Sequence, residues 1–329
     1  MAKKKIRVAI IGCGGNMRNA HIPRLQKDGA VDIVAAADPV EANAEALAEK
    51  WGAPIPRYDD YRLMLRQQEA DAVFISSPHS MHYEQTRYAL QRGCHVLVEK
   101  PLTTSSRHSR ALMRLADKNN LFLQVAYQRS YYAPHQYARQ LVQKGRLGKI
   151  QGVAAYVTQR WGGNPNAWRL NPELSGGGFF MDTGSHLVAA ALRISGLEPA
   201  EVSAYLDTKD RRVDMNLVLS VRFRGGALGN LSFFGASARH DESLAFHGDA
   251  GCLVFRLHQW QVRDVLLDGE PLKVPKSVKE SDPDTALLNW IRNGGRGYEP
   301  PEYALQVASL SEAVYRSVEA KKPVRVSRG

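Results

Sequence analysis

The chain has 329 residues, 44% of them hydrophobic and 23% charged, with a formal net charge of +11 and three cysteines. That length exceeds what one hydrophobic core usually serves, so two domains are expected, and the composition is that of an ordinary globular protein in water. No apolar run approaches the roughly 18 residues that span a bilayer, Cys13, Cys94 and Cys252 lack disulfide or zinc spacing, and the basic residues are scattered rather than striped. Membrane, structural metal and nucleic acid are therefore set aside, and a cytoplasmic protein without a removable signal is expected.

Arg7 to Gly12 (RVAIIG) is a short apolar run rich in β-branched residues, followed by a glycine turn and the amphipathic segment Ala20 to Lys27. That pattern is strand, turn, helix. The turn, Gly12-Cys13-Gly14-Gly15-Asn16-Met17, fills the first two glycine positions of G-x-G-x-x-G and puts Met17 in the third. The first two glycines allow a tight turn and close approach of a pyrophosphate to N–H groups at a helix start. The third serves helix packing, so the phosphate site survives its loss. The strand Asp32 to Ala37 then delivers Asp38, 24 residues after Gly14. A carboxylate there can bond an adenosine ribose and repel a 2′-phosphate, which favours NAD over NADP. Asp38-Pro39 also reads as an N-terminal cap for a helix over Val40 to Trp51.

Alternation continues with a helix at Tyr61 to Gln68, a buried strand at Ala72 to Ser76 and a helix at Met81 to Arg92. The stretch His95 to Leu102 (HVLVEKPL) follows, then a helix at Ser105 to Asn119 and a strand at Leu121 to Ala126. Strands separated by helices define a doubly wound parallel sheet, here a dinucleotide-binding Rossmann domain over residues 1–124. Its ligand would lie at the strands' carboxyl ends, where Gly12, Asp38, Ser77-Pro78, Glu99-Lys100 and Gln128 all emerge. Lys100 stands out: an ammonium where a hydrophobic strand meets a proline turn is costly to desolvate and reads as a reagent.

Beyond Gln128 the pattern changes. A helix at Pro134 to Lys144 precedes strands at Gln151 to Arg160, Glu201 to Leu206, Asn216 to Phe223, Ala227 to Phe234, Ser243 to His247, Gly251 to Phe255 and Gln261 to Leu267. Short Gly-rich turns such as Arg224-Gly225-Gly226 imply a mainly antiparallel sheet, so residues 125–329 are read as an α+β domain. Helices near Pro283 to Asn293 and Glu302 to Ala320 close the chain.

The glycine turn, Asp38, the run from Pro78 through His82 to Glu99-Lys100-Pro101, and GGGFFMDTGSH (Gly176 to His186) after Trp168-Arg169 together resemble the Gfo/Idh/MocA oxidoreductase family over nearly the full length. The resemblance implies a Rossmann domain followed by a substrate-binding domain whose open sheet packs face to face in homodimers or homotetramers. It assigns Lys100, Asp182 and His186 as catalytic. It also places Lys100-Pro101, often joined by a cis bond, at the nicotinamide end, and Glu99 at the nicotinamide ribose. Independently, positions i and i+4 share a helix face, so one segment can present Asp182 and His186 to one pocket, with Gly184 marking the helix start.

Cofactor contacts are thus expected from Gly12, Gly14, Gly15, Asn16, Met17, Asp38, Ser77, Pro78, His82, Glu99, Lys100, Gln128, Trp168 and Arg169. Substrate contacts are expected from Lys100, Arg129, Tyr156, Trp161, Asp182 and His186. The expected activity is NAD-dependent hydride transfer, with NADP the less favoured cofactor, at a secondary alcohol or ketone of a sugar or polyol. His186 would act as general base, Lys100 would stabilise the alkoxide, and Asp182 would orient the imidazole. The same fold also serves NAD-dependent glycosidases and non-catalytic regulators that sense nucleotide or sugar, and these are the alternatives.

Overall fold

A computed structural model describes residues 4–164, 167–296, 298 and 300–328. Contacts group the chain into two units: residues 1–103, 107–126 and 281–301 in the first, and 104–106, 127–280 and 302–329 in the second. The expected cut after residue 124 is a single point in sequence. The contacts instead return the segment 281–301 to the first unit.

The first unit holds β1 (Ile6–Ile11), α1 (Ile22–Asp28), β2 (Val31–Ala37), α2 (Glu41–Trp51), β3 (Arg57–Tyr58), α3 (Tyr61–Gln67), β4 (Ala72–Ile75), α4 (His82–Gln91), β5 (His95–Val98), most of α5 (Ser106–Lys118) and β6 (Leu123–Val125). The six strands pair parallel in the order β3-β2-β1-β4-β5-β6, a doubly wound sheet. Helices on both faces explain why β1 from Val8 onward and β4 read as unbroken apolar runs: a strand covered twice has no solvent side to mark. Strand β6 starts two residues later than its sequence suggests, because the Leu121 N–H bonds Ala116 O and closes α5.

The second unit holds α6 (Ala133–Gln143), β7 (Ile150–Arg160), α7 (Pro172–Ser175), α8 (Ser185–Ser195), β8 (Pro199–Asp207), β9 (Asn216–Phe223), β10 (Leu228–Phe234), β11 (Ala236–Gly248), β12 (Cys252–His258), β13 (Gln261–Leu267) and β14 (Glu270–Pro271). After α9 (Pro283–Arg292), which belongs to the first unit, come α10 (Glu302–Ala320) and β15 (Val324–Arg325). The nine strands run β14-β13-β12-β11-β7-β10-β9-β8-β15, antiparallel except for β7 beside β10. α8 packs on β7 and β11, α10 packs on β8, and α6 packs on α8. The side chains of β7, β9 and β10 alternate between a buried and an exposed set, so the face opposite these helices is open. Strand β11 begins earlier than the sequence suggests, extended past an irregular register between Ala236 and Asp241. Among the described residues no helix is long and apolar enough to cross a membrane, and none of their His, Cys, Asp and Glu side chains form a group that could hold a metal ion.

Candidate active site

At the carboxyl end of β1 the chain leaves the sheet through Gly12, whose φ of +85° suits glycine; an added Cβ would lie 2.7 Å from the Ser77 nitrogen. The first glycine is thus demanded by the neighbouring strand end. Gly14 differs, since a Cβ there would meet nothing within 4 Å. Its backbone faces open space at the start of a helical segment in which Arg18 N–H bonds Gly14 O, the kind of cradle a pyrophosphate needs. Met17, in the third glycine position, is fully buried in the core and begins a π turn, Met17–His21, that leads into α1.

Asp38 follows β2 and is nearly buried. Its Oδ2 accepts the Cys13 N–H at 2.8 Å, and its Oδ1 accepts the Val40 N–H at 2.9 Å and the Asn43 amide at 3.3 Å. The carboxylate therefore turns the chain into α2 and ties itself to the glycine turn, and it retains lone pairs for a ribose hydroxyl. Arg18 donates to Cys13 O at 2.7 Å and Asn43 Oδ1 at 3.3 Å, so its charge is engaged by carbonyl oxygens. These residues fit a dinucleotide: a cradle over Gly14 and an acceptor at the end of β2.

Ser77 and Pro78 form the loop after β4, with Ser77 Oγ donating to Gln85 and Asn16 Nδ2 donating to Ser76 Oγ at 3.3 Å. His82 has no exposed surface, and its ring bridges Pro101 O (2.8 Å) and Ser77 O (3.0 Å). Burial draws its proton affinity down, the two carbonyls opposing. It is thus a brace between two loops. The Lys100–Pro101 peptide is cis. Glu99, nearly buried, accepts the Lys100 N–H through Oε2 at 3.1 Å and meets His21 through Oε1 at 3.1 Å.

In the second unit, a π turn over Phe180–Gly184 leads directly into α8. The helical segment thus begins before Gly184, where the sequence put its start. A π turn loops i to i+5 and is frequent at functional sites; here it carries Asp182, and α8 carries His186. The glycines before it are there for space: a Cβ on Gly177 would overlap the Tyr315 hydroxyl, and one on Gly178 would overlap the Asp214 carbonyl oxygen. Asp214, on the far side, accepts the N–H groups of Gly178 (2.6 Å) and Phe180 (2.7 Å) and the Tyr315 hydroxyl (2.8 Å). Burial pushes the Asp214 carboxyl up against these bonds.

Asp182 itself is nearly buried, and its Oδ2 accepts the Trp161 indole N–H at 2.9 Å and meets Arg169 Nε at 3.2 Å. Arg169 in turn lies over the Trp168 ring, 4.5 Å from its centroid. The second unit thus brings Trp161, Trp168, Arg169 and Asp182 together. His186 is half-exposed between two ring edges, Tyr127 at 5.9 Å and Trp260 at 5.4 Å.

Arg129 is buried, doubly bonded through Nη2 to Glu242 (2.8 and 2.6 Å), and its guanidinium lies 5.1 Å from the Trp260 ring, which links it to His186. Burial works against ionisation of Glu242, but Arg129 and His240 together outweigh it and lower that carboxyl. Gln128, half-buried, opens the same turn as Arg129. Tyr156 is not part of this group: it projects from the open face of the sheet, opposite α8, and its hydroxyl donates to Asp241 at 3.1 Å.

Sequence reasoning passed over Trp260, Glu242, His21 and Asp284. Trp260 forms the β12–β13 hairpin turn with Gln259, both at positive φ (73° and 47°), where asparagine and glycine would have announced a turn. Nothing local marks a histidine that meets a carboxylate more than two hundred residues away.

Residues 6–127 match the model of the Gfo/Idh/MocA oxidoreductase family with its NAD-binding Rossmann fold, and residues 135–254 match the Gfo/Idh/MocA C-terminal domain. The chain belongs to this oxidoreductase family. It is 34% identical over 196 residues to D-glucoside 3-dehydrogenase of Escherichia coli, a match covering 60% of this chain and 56% of that protein. It is 30% identical over 218 residues to D-xylose 1-dehydrogenase (NADP(+)) 2 of Haloferax volcanii, covering 66% of each. The chain thus spans somewhat more than half, and about two thirds, of these relatives. Among solved structures, the WlbA dehydrogenase of Bordetella pertussis in complex with NADH and UDP-GlcNAcA is 25% identical, with a TM-score of 0.84 over 99% of this chain and 100% of that one.

Proposed function

We propose that this chain is a nicotinamide-dependent dehydrogenase or reductase acting on a secondary alcohol or ketone of a sugar or polyol. The observation that carries the reading is the segment Asp182–His186, in which one continuous helical run presents a carboxylate oriented by Trp161 and Arg169 one turn before a half-exposed imidazole. Such a pair manages one proton. When bound, the nicotinamide supplies the hydride acceptor or donor. Gly12, Gly14, Gly15 and Asn16 would hold the pyrophosphate, with Met17 packing beneath. Asp38 would hold the adenosine ribose, and the loop Ser77-Pro78 braced by His82 would line the site with Glu99, Lys100 and Gln128. His186 removes the hydroxyl proton in the oxidative direction, an imidazole being suited to this near neutral pH. Lys100 donates to the same oxygen as its charge develops. Asp182, with Arg169 and Trp168 behind it, orients the substrate or the imidazole.

NAD is the cofactor this reading favours, because the Asp38 carboxylate repels a 2′-phosphate. The substrate class is supported by relatives named for a glucoside and for xylose. A homo-oligomer formed through the open face of the nine-stranded sheet and a cytoplasmic location complete the proposal. The unpaired cysteines suit a reducing compartment. The test is a panel of sugars and polyols with NAD and NADP in parallel, reading formation of reduced nicotinamide in wild type and Lys100→Met. Lys100→Met is expected to bind the nucleotide and to lose about 10²–10³-fold in kcat, the scale of losing one donor to a developing oxyanion. Wild-type turnover in Lys100→Met would overturn the assignment, and NADP preferred over NAD would overturn the role of Asp38.

A further inference from the structure

Behind Glu99 lies a cluster of charges within the first unit, buried except for Arg24, whose side chain is 24% exposed. His21 has no exposed surface, and each of its ring nitrogens faces a carboxylate: Nδ1 is 2.6 Å from Asp284 Oδ1, and Nε2 is 3.1 Å from Glu99 Oε1. A neutral imidazole has one N–H and one lone pair, so it would satisfy one carboxylate and repel the other; the imidazolium donates to both. Asp284 Oδ2 is taken by Arg24 Nη1 at 2.9 Å. The cluster is therefore balanced, two cations against two carboxylates. The edge of Phe74 packs against the His21 ring. Buried ion networks of this kind are weak sources of stability, because desolvation opposes their attraction, and apolar residues of the same volume would serve the core as well. What distinguishes this one is where it ends. Glu99 Oε2 also accepts the Lys100 backbone N–H at 3.1 Å, and the nearby Asn16 side chain of the glycine turn helps hold the carboxyl low. One oriented carboxylate thus stands between the glycine turn and the turn that carries Lys100.

We propose that His21 and Asp284 are positioning residues of the nucleotide site: the His21 imidazolium, clamped between Asp284 and Glu99, holds the Glu99 carboxylate ionised and aimed so that the Asn16 and Lys100 segments keep one geometry. This rests on the reading of Glu99 and Lys100 as part of the cofactor site. Asp284 arrives on α9, a helix that follows residues 127–280 of the second unit in sequence.

The test is a double-mutant cycle on nucleotide affinity with His21→Gln, Glu99→Gln and the double variant, with histidine ¹⁵N NMR of the unmodified protein alongside. His21→Gln is expected to weaken nucleotide binding by about tenfold or more, the effect of removing an orienting partner behind a binding group. In the Glu99→Gln background, where position 99 carries no charge for His21 to orient, the same change is expected to cost nucleotide affinity little. A purely structural histidine would lower thermal stability in both backgrounds and move affinity in neither, which would overturn the proposal. Should His21→Gln fail to fold, the ¹⁵N spectrum decides: both His21 ring nitrogens protonated at mildly alkaline pH supports the clamp, and a neutral ring overturns it. No nucleotide binding by the unmodified protein would overturn the reading of the site and this proposal with it, whereas binding that His21→Gln leaves unchanged overturns the proposal alone.

Discussion

Trp161 donates its indole N–H to the Asp182 oxygen that Arg169 also holds, so the carboxylate is fixed by two groups and the tryptophan does more than line a pocket. Replacing Trp161 with phenylalanine keeps most of the ring's packing and removes that single donor. A hydrogen bond to a charged group contributes about 1.5–3 kcal/mol, and loss of orientation at Asp182 is expected to lower kcat/KM by about tenfold, equivalent to about 1.4 kcal/mol. Nucleotide affinity should stay as it was. Titration with NAD beside steady-state kinetics separates the two, and a Trp161→Phe protein with unchanged kcat/KM would remove Asp182 orientation from the mechanism. The sequence pointed to Trp161 only as a substrate contact because an aromatic near a functional segment is all that composition can express. Its partner depends on how β7 lies beneath the π turn, which no spacing encodes. Gly12, Gly14 and Asp38 were legible because the strand, turn and carboxylate they belong to are neighbours in the chain. Glu242 and Trp260 were not, since they reach Arg129 and His186 only through the fold.

At the scale of elements, the alternation of the first unit was readable because buried parallel strands and amphipathic helices have different periods. Two features were not. The π turns at Met17–His21 and Phe180–Gly184 obey no periodicity a short window can detect, and α9 reads like any amphipathic helix although Leu287 and Leu288 fill the first unit's core. α9 also ties down the edge of that unit through Arg292, whose guanidinium pairs with both oxygens of Asp28 at 2.8 and 2.6 Å. Because Asp284 rides on the same helix, the docking of α9 is linked to the charge of His21. Burial opposes that charge, but Asp284 and Glu99 raise the imidazole from 6.5 to about 10. A group whose affinity for a proton is raised by folding stabilises the folded state fully below its unfolded value and loses that contribution as pH climbs through the folded one. Stability is therefore expected to fall between about pH 6.5 and about pH 10, by at most about 1.4 kcal/mol per pH unit for one proton. Thermal denaturation across that window should show the decline in the unmodified protein and a flatter profile in Asp284→Asn. Parallel profiles would mean that His21 does not carry the dependence.

At the scale of the whole molecule, the open face of the nine-stranded sheet carries several large exposed apolar side chains among its polar ones. The register places Tyr205, Val218, Ser232, Tyr156 and Ser243 in one row across β8, β9, β10, β7 and β11. Leu228 and Phe234 lie on the same face of β10 as Ser232, at even spacing. Tyr205 is 78% exposed and Leu228 55%, values far from those of core residues of the same types. Strand alternation predicts an outward set of polar residues, and large apolar side chains repeated in that set are what a buried interface supplies. A two-fold interface on this face would meet its own copy, so one substitution enters twice, and like charges facing each other across it repel. Tyr205→Glu with Leu228→Glu is therefore expected to shift the solution mass by light scattering from a dimer or tetramer to a smaller species. The far-ultraviolet circular dichroism should not change, since neither side chain contributes to the helix-covered face. A wild-type monomer, or an assembly whose mass the two glutamates leave unmoved, would place the contact elsewhere and return this face to solvent.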